Sequence, residues 1–160
     1  MGDCKVLWIE DGALYELAHL AGPVYLEGGY ELTVAENVSE AVTYIQNKEF
    51  DAIIVDIRLP PGENHQWIDL YEQAGQQKAT ASLGLKLLKS ILNAKDAEIQ
   101  LENLPSWLIP AKIGILTVES KNTLQQEIDK LGIQVFENKF AGMPDSMLLD
   151  IIVKICRSQN

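Results

Sequence analysis

Short apolar runs alternate along this chain with stretches of helical periodicity. Val6-Leu7-Trp8-Ile9, Ala52-Ile53-Ile54-Val55 and Ile113-Gly114-Ile115-Leu116 are the clearest runs. They predict strands over about 5–10, 51–57 and 112–118, with two more over about 31–35 and 133–137. Between them the pattern predicts a helix over about 13–27, kinked at Gly22-Pro23 because proline removes a backbone donor, and stopped by Gly28-Gly29. Further helices follow: one capped by Ser39 and ending near Lys48, then 84–95, then 121–131 before Gly132. Pro144, at a first-turn position, opens a last helix whose Met147, Leu148, Ile151, Ile152 and Ile155 form an apolar face. This alternation predicts an α/β protein with a doubly wound sheet.

Two connections exceed the usual length. Residues 61–83 lie between the third strand and its helix. Pro60-Pro61 stiffen the exit, Gly62 permits a change of direction, and Asn64 starts a short helix with Trp67, Leu70, Tyr71 and Ala74 on one face. Ala79-Thr80-Ala81-Ser82 reads as a flexible return. Residues 96–110, with Trp107, lead back to the fourth strand at the opposite edge of the sheet. Connections of this length inside compact domains are functional or disordered more often than not.

The strands share one property beyond their hydrophobicity. Each of the clear runs delivers a polar or charged residue at its C-terminal end: Glu10-Asp11, Asp56 and Thr117. Val135-Phe136 leads similarly to Lys139. In an open parallel sheet those ends converge on one edge, where such folds place their sites. Three carboxylates in one crevice, with contacts at about 4 Å, repel one another by on the order of 10 kcal/mol. A hard divalent ion relieves that repulsion, and Mg2+ takes carboxylates, water and phosphoryl oxygens as ligands. The set points to a Mg2+-assisted phosphoryl-transfer site with Asp56 as nucleophile.

At these positions the chain resembles the receiver domain of two-component response regulators, and the resemblance spans nearly the whole sequence. Glu10-Asp11 is similar to the family's acid pair, Asp56 to its phosphoacceptor, Thr117 to its hydroxyl residue, Lys139 to its lysine and Phe136 to its aromatic switch position. Gly84-Leu85-Lys86-Leu87-Leu88 is similar to the opening of its third helix. The resemblance implies a flavodoxin-like, five-stranded parallel sheet of order 2-1-3-4-5 in a single domain over 1–160. It also implies a metal site of Asp11 and Asp56, with Glu10 acting partly through water and Arg58 through its backbone carbonyl. Lys139 and Thr117 would hold phosphoryl oxygens. Arg58 and Glu119 fall where the family tunes the lifetime of the phosphoryl group. The implied partners are a histidine kinase or phosphotransfer protein and a downstream effector, docked on the face made by the fourth helix, fifth strand and last helix; a homodimer is compatible with the same scheme.

Departures from that pattern are local. Phe140 stands where the family has proline after the lysine, whose peptide is commonly cis. A cis bond before Phe costs about 2.5–4 kcal/mol, so a trans loop that shifts Lys139, or a strained one, is expected. Val118 stands where the family favours Ala or Gly, and adds two methyl groups near the path to Asp56.

Composition narrows the function further. A net charge of -10 and the lack of any Lys/Arg cluster argue against direct nucleic-acid binding. No apolar stretch approaches the length of a membrane span. Met1 to Lys5 lead straight into the first strand, so no signal peptide and a cytoplasmic location are expected. Cys4 and Cys156 are read as two ordinary free thiols. With no room for an output domain after about residue 157, the signal is expected to leave through a protein surface. The chain is therefore read as a signalling receiver, not an enzyme beyond its own phosphotransfer and autodephosphorylation. The alternative is a receiver-like interaction module that is never phosphorylated. A haloacid-dehalogenase-type phosphatase needs an acid two residues after the nucleophile, where Arg58 stands. A flavodoxin-type cofactor cradle is opposed by the charge of Glu10-Asp11.

Overall fold

The computed structural model describes residues 2–159. Five parallel strands, β1 (Cys4–Ile9), β2 (Tyr30–Ala35), β3 (Ala52–Val55), β4 (Ile113–Thr117) and β5 (Val135–Asn138), form one sheet in the order β2-β1-β3-β4-β5. Around it lie α1 (Ala21–Glu27), α2 (Val38–Asn47), α3 (His65–Gln73), α4 (Lys78–Ala81), α5 (Leu83–Ile91), α6 (Lys121–Leu131) and α7 (Met147–Arg157).

Side chains alternate across the sheet, and each face has its own core. Leu7, Ile9, Ile53, Val55, Ile113 and Ile115 pack with residues of α2 to α6, among them Ile45, Trp67, Leu88 and Ile128. Val6, Trp8, Ala52, Ile54 and Leu116 pack with Leu20 and Val24 and with the α7 stripe Leu148, Ile151, Ile152 and Ile155. Burial on both faces is why the three central strands, β1, β3 and β4, read as nearly unbroken apolar runs.

Several boundaries differ from those the pattern predicts. The helix expected over 13–27 is α1 alone, preceded by turns and a single 3-10 turn over Ala18–Leu20. Pro23 thus lies in the first turn of a late-starting helix, where its missing N–H leaves no bond broken, instead of kinking a long one. The cap of α2 is Asn37, whose Oδ1 accepts from the Glu40 N–H at 2.9 Å. Ser39 instead anchors the long β3–α5 connection: its Oγ donates to the Pro61 carbonyl at 2.5 Å and accepts from the Asn64 N–H at 3.0 Å. Pro144 precedes α7 by a turn, closed by the Met147 N–H on the Pro144 carbonyl at 3.0 Å. The helix expected over 84–95 ends at Ile91.

The β3–α5 connection is ordered by its own chemistry. The free N–H groups of Val38 and Ser39 at the start of α2 bond the carbonyls of Pro60 and Pro61, both at 3.1 Å. Gly62 then turns with φ of 78°, and a Cβ there would lie 2.2 Å from Asn37 Oδ1. Asn64 caps α3 by accepting from the Gln66 and Trp67 N–H groups. Trp67 is buried, and Leu70, Tyr71 and Ala74 pack beside it on the core. The return segment is not flexible coil: it forms the single turn α4, with Ala81 buried. The second long connection is pinned by Ile99, whose carbonyl accepts from Ser90 Oγ at 2.6 Å, and by Trp107 edge-on to Phe50.

Cys4 and Cys156 are joined as a disulfide, with their Cα atoms 6.8 Å apart. This corrects the reading of two free thiols. The two residues lie at opposite ends of the sequence. The last turn of α7, packed on the second face of the sheet, nevertheless comes back beside the start of β1. Among the described residues, no helix is long and apolar enough to cross a membrane.

Candidate functional site

The strand ends are brought together by hydrogen bonds that extend the sheet past its last paired residues. The Asp56 N–H donates to the Ile9 carbonyl at 3.1 Å, seating Asp56 beside Glu10 and Asp11. The Lys139 N–H donates to the Thr117 carbonyl at 2.8 Å, fixing the lysine backbone at the end of β4. From there Lys139 Nζ donates to Glu10 Oε1 at 2.5 Å and to Asp56 Oδ2 at 3.0 Å. The Lys139–Phe140 peptide is trans. A trans loop therefore does not withdraw the ammonium, contrary to the expected shift, because the Thr117 contact holds it in place.

Glu10, Asp56 and Thr117 are buried, with 2%, 4% and 0% of their surface exposed. Glu10 has both oxygens engaged, the second accepting from the Gly12 N–H at 3.0 Å. Burial, reinforced by the charge of Asp56, pushes the Glu10 carboxyl up to about 7 against the pull of Lys139. Lys139 is itself partly buried, which works against its charge, but Asp56 and Glu10 together raise its affinity for the proton.

Asp11 is held differently. Lys78 Nζ, on α4 of the long connection, donates to Asp11 Oδ2 at 2.6 Å. Partial burial works against the Asp11 charge, but the hydrogen bond from Lys78 prevails and holds the carboxyl below its usual range. The same hydrogen bond raises Lys78, with the charges of Asp11, Asp56 and Glu10 adding to it. Sequence reasoning missed Lys78. A usable signal was present: it is the only Lys or Arg within 61–83, a segment that departs beside Asp56.

The remaining residues fall around this cluster. Arg58 Nε donates to Glu119 Oε1 at 2.5 Å, joining the two positions expected to act together. Thr117 Oγ1 accepts from the Glu119 N–H at 3.3 Å. Phe136 is partly buried against the core. Val118 and Phe140 are half exposed, at 50% and 55%.

Gly84 decides how closely α5 approaches the site. Its N–H donates to the Ile57 carbonyl at 2.9 Å. A Cβ there would lie 1.9 Å from the Asp56 carbonyl oxygen and 2.6 Å from the Ile57 Cα. An unhindered helical Gly→Ala change gains up to about 1 kcal/mol. Here the clash is with backbone, and Gly84→Ala is expected to lose about 2–3 kcal/mol instead. Urea unfolding checks the sign, and a stabilised Ala variant would mean that the approach is not tight.

One oxygen from each of Glu10, Asp11 and Asp56 falls within a set whose members all lie within 4.8 Å of one another. Three hard carboxylate donors facing two ammonium groups leave an excess of negative charge. That donor set fits Mg2+, with Lys78 as a competitor for one of its acids.

A scan against protein-family models finds no match, and a search of curated protein sequences finds none either. Solved structures do match over nearly the full chain. A response regulator receiver domain protein from Methanospirillum hungatei JF-1 is 17% identical with a TM-score of 0.63, covering 99% of this chain and 97% of that one. A two-component response regulator from Clostridium difficile is 18% identical with a TM-score of 0.65, covering 99% of both chains. The receiver domain of the Francisella response regulator 1452 is 19% identical with a TM-score of 0.61, covering 99% and 100%. This protein has the fold of the response-regulator receiver domains, a flavodoxin-like sheet of order 2-1-3-4-5.

Proposed function

We propose that this chain is a single-domain, phosphorylatable signalling receiver that accepts a phosphoryl group on Asp56 from a histidine kinase or phosphotransfer protein. The observation that carries the reading is Lys139, bridging buried Asp56 and Glu10 at the C-terminal edge of a receiver-fold sheet. In the step proposed, an Asp56 carboxylate oxygen forms a bond to phosphorus as the phosphorus–nitrogen bond of the donor phosphohistidine breaks. The electron pair leaves on the imidazole nitrogen, which takes up a proton. Lys139 moves from the carboxylate to a phosphoryl oxygen as a point charge, and Thr117 donates its hydroxyl to another. Asp11, Asp56, Glu10 and the Arg58 carbonyl would hold Mg2+, which supplies charge neutralisation of the transferring group. Thr117 and Phe136 then carry the change to a partner-binding surface for an effector or a second copy.

The test is incubation with a small phosphodonor, with and without Mg2+, read by intact mass. One added phosphoryl group that requires Mg2+ and maps to Asp56 is expected. A second reading, an interaction module that is never phosphorylated, draws on the Lys78–Asp11 pair and predicts no label from either a small donor or a kinase.

The Arg58–Glu119 pair bears on the lifetime of the product. It lies beside the site and is worth under about 1 kcal/mol to stability, since Arg58 is 41% exposed. Its proposed effect is on access of the hydrolytic water. Replacing both residues with Ala is expected to change the rate of phosphate loss several-fold at nearly constant stability. An unaltered decay rate would reduce the pair to a surface contact.

A further inference from the structure

We propose that Lys78 is a tethered counter-ion for the acid cluster, so that a divalent ion loads the site only by displacing this lysine and loosening the segment that carries it. The inference rests on the reading that Glu10, Asp11 and Asp56 bind a divalent cation.

Placement is the first argument. Lys78 opens α4, and its ammonium sits 2.6 Å from Asp11 Oδ2, within the charge field of all three acids. Asp11 is 27% exposed, against 2% for Glu10 and 4% for Asp56, so it is the open side of the cluster. An ion entering from solvent meets Lys78 before it meets the buried acids. The two lysines also differ in kind. Lys139 is 11% exposed and clamped between two buried carboxylates, whereas Lys78 is 43% exposed and holds one half-open acid. An exposed pair of that sort is weak enough for an incoming divalent charge to break.

The backbone around Lys78 suits it to move. Gly75 and Gln76 have positive φ values of 75° and 58°, so the chain reverses just before α4, and Ser82 at 46° reverses it again just after. The apolar anchors of the segment lie elsewhere, in buried Trp67 on α3 and buried Ala81 at the end of α4. The backbone of residues 75–78 is held by local bonds only, Gly75 N–H on the Glu72 carbonyl at 3.0 Å, Gln76 N–H on the Tyr71 carbonyl at 2.9 Å and the single turn of α4, so it can loosen without undoing the core packing. Charge points the same way. With all three acids ionised, as a bound divalent ion would hold them, that ion and Lys139 together neutralise the set, so Lys78 becomes a surplus positive charge.

If the Lys78–Asp11 contact is formed in about nine molecules of ten, it weakens apparent ion affinity about tenfold, because only the released fraction can bind. Mg2+ and Mn2+ titrations by calorimetry on the full chain are the test, comparing wild type, Lys78→Gln, and Lys48→Gln as a charge-matched control. Lys48 pairs with Glu31, which is in register with Lys5 near the start of β1, at the other end of the strands. Lys78→Gln is expected to bind about tenfold tighter and Lys48→Gln to stay near wild type. Amide hydrogen exchange gives the second readout. Residues 74–82 should exchange faster in wild type when Mg2+ is added, and fast with or without Mg2+ in Lys78→Gln. Equal affinity in wild type and Lys78→Gln overturns the tether while leaving the metal site intact. Weaker binding in Lys78→Gln overturns it as well, by making Lys78 a supporting group. No binding in any variant removes the metal reading itself, and the tether with it.

Discussion

Asp56→Asn is expected to abolish phosphoryl incorporation completely while leaving the protein folded. The amide keeps the shape of the carboxylate and can still contact Lys139, but its nitrogen and carbonyl oxygen are not competent nucleophiles toward phosphorus. Loss of the label should therefore come without unfolding. Removing one of two buried carboxylates 2.5–3.0 Å from the same ammonium leaves Lys139 paired with Glu10 alone. It also relieves the repulsion that helps push Glu10 up to about 7. Stability is expected to stay within about 1–2 kcal/mol of wild type, because a charge pair is lost and a like-charge contact is relieved together. Intact mass after phosphodonor treatment, with a urea titration on the same sample, reads both quantities. Retained labelling in a folded Asn variant would move the phosphoacceptor elsewhere.

Breaking the disulfide is expected to have the largest effect on stability. The bond between Cys4 and Cys156 closes a loop of 152 residues. In the chain-entropy account, releasing a loop of that length costs about 5 kcal/mol. This approaches the whole stability of an ordinary domain, about 5–15 kcal/mol. Cys4→Ser and reductant-treated wild type should lose a similar amount in urea unfolding, with a steeper dependence on denaturant as the freed chain expands. The cost should fall on overall stability, not on phosphotransfer, since the bond lies at the N-terminal edge of β1 and the acids lie at the other end. Two reactive thiols in the native protein, or an unfolding midpoint that reductant leaves unmoved, would discard this expectation.

The departures from pattern-based expectation have separate physical origins. The late start of α1 follows from Pro23, a residue compatible with either a kink or a first turn; the flanking chain decides which. Ser39 and Asn37 are both competent caps, and the choice fell to Asn37 because the Ser39 hydroxyl meets the Pro61 carbonyl at 2.5 Å. Lys139 was expected to shift or strain without a following proline, yet one backbone hydrogen bond to Thr117 keeps it on Asp56. Gly84 shows the converse. Its place at the opening of a helix was legible, but the reason for it, contact with the Asp56 carbonyl oxygen, exists only once α5 is laid against β3.

What the residue pattern determined by itself was the set of five strands, the placement of acids at their C-terminal ends, and the apolar faces of α3 and α7. These follow from local periodicity and from the rule that strands buried on both faces must be apolar throughout, so a charge marks where a strand leaves the core. Tertiary structure alone decided the contacts made across long sequence separations. The Cys4–Cys156 bond spans 152 positions, and the Lys78–Asp11 pair spans 67. No local signal encodes such meetings. They arise because packing α7 on one face of the sheet and α3 to α5 on the other fixes where the chain's end and its long connection must lie.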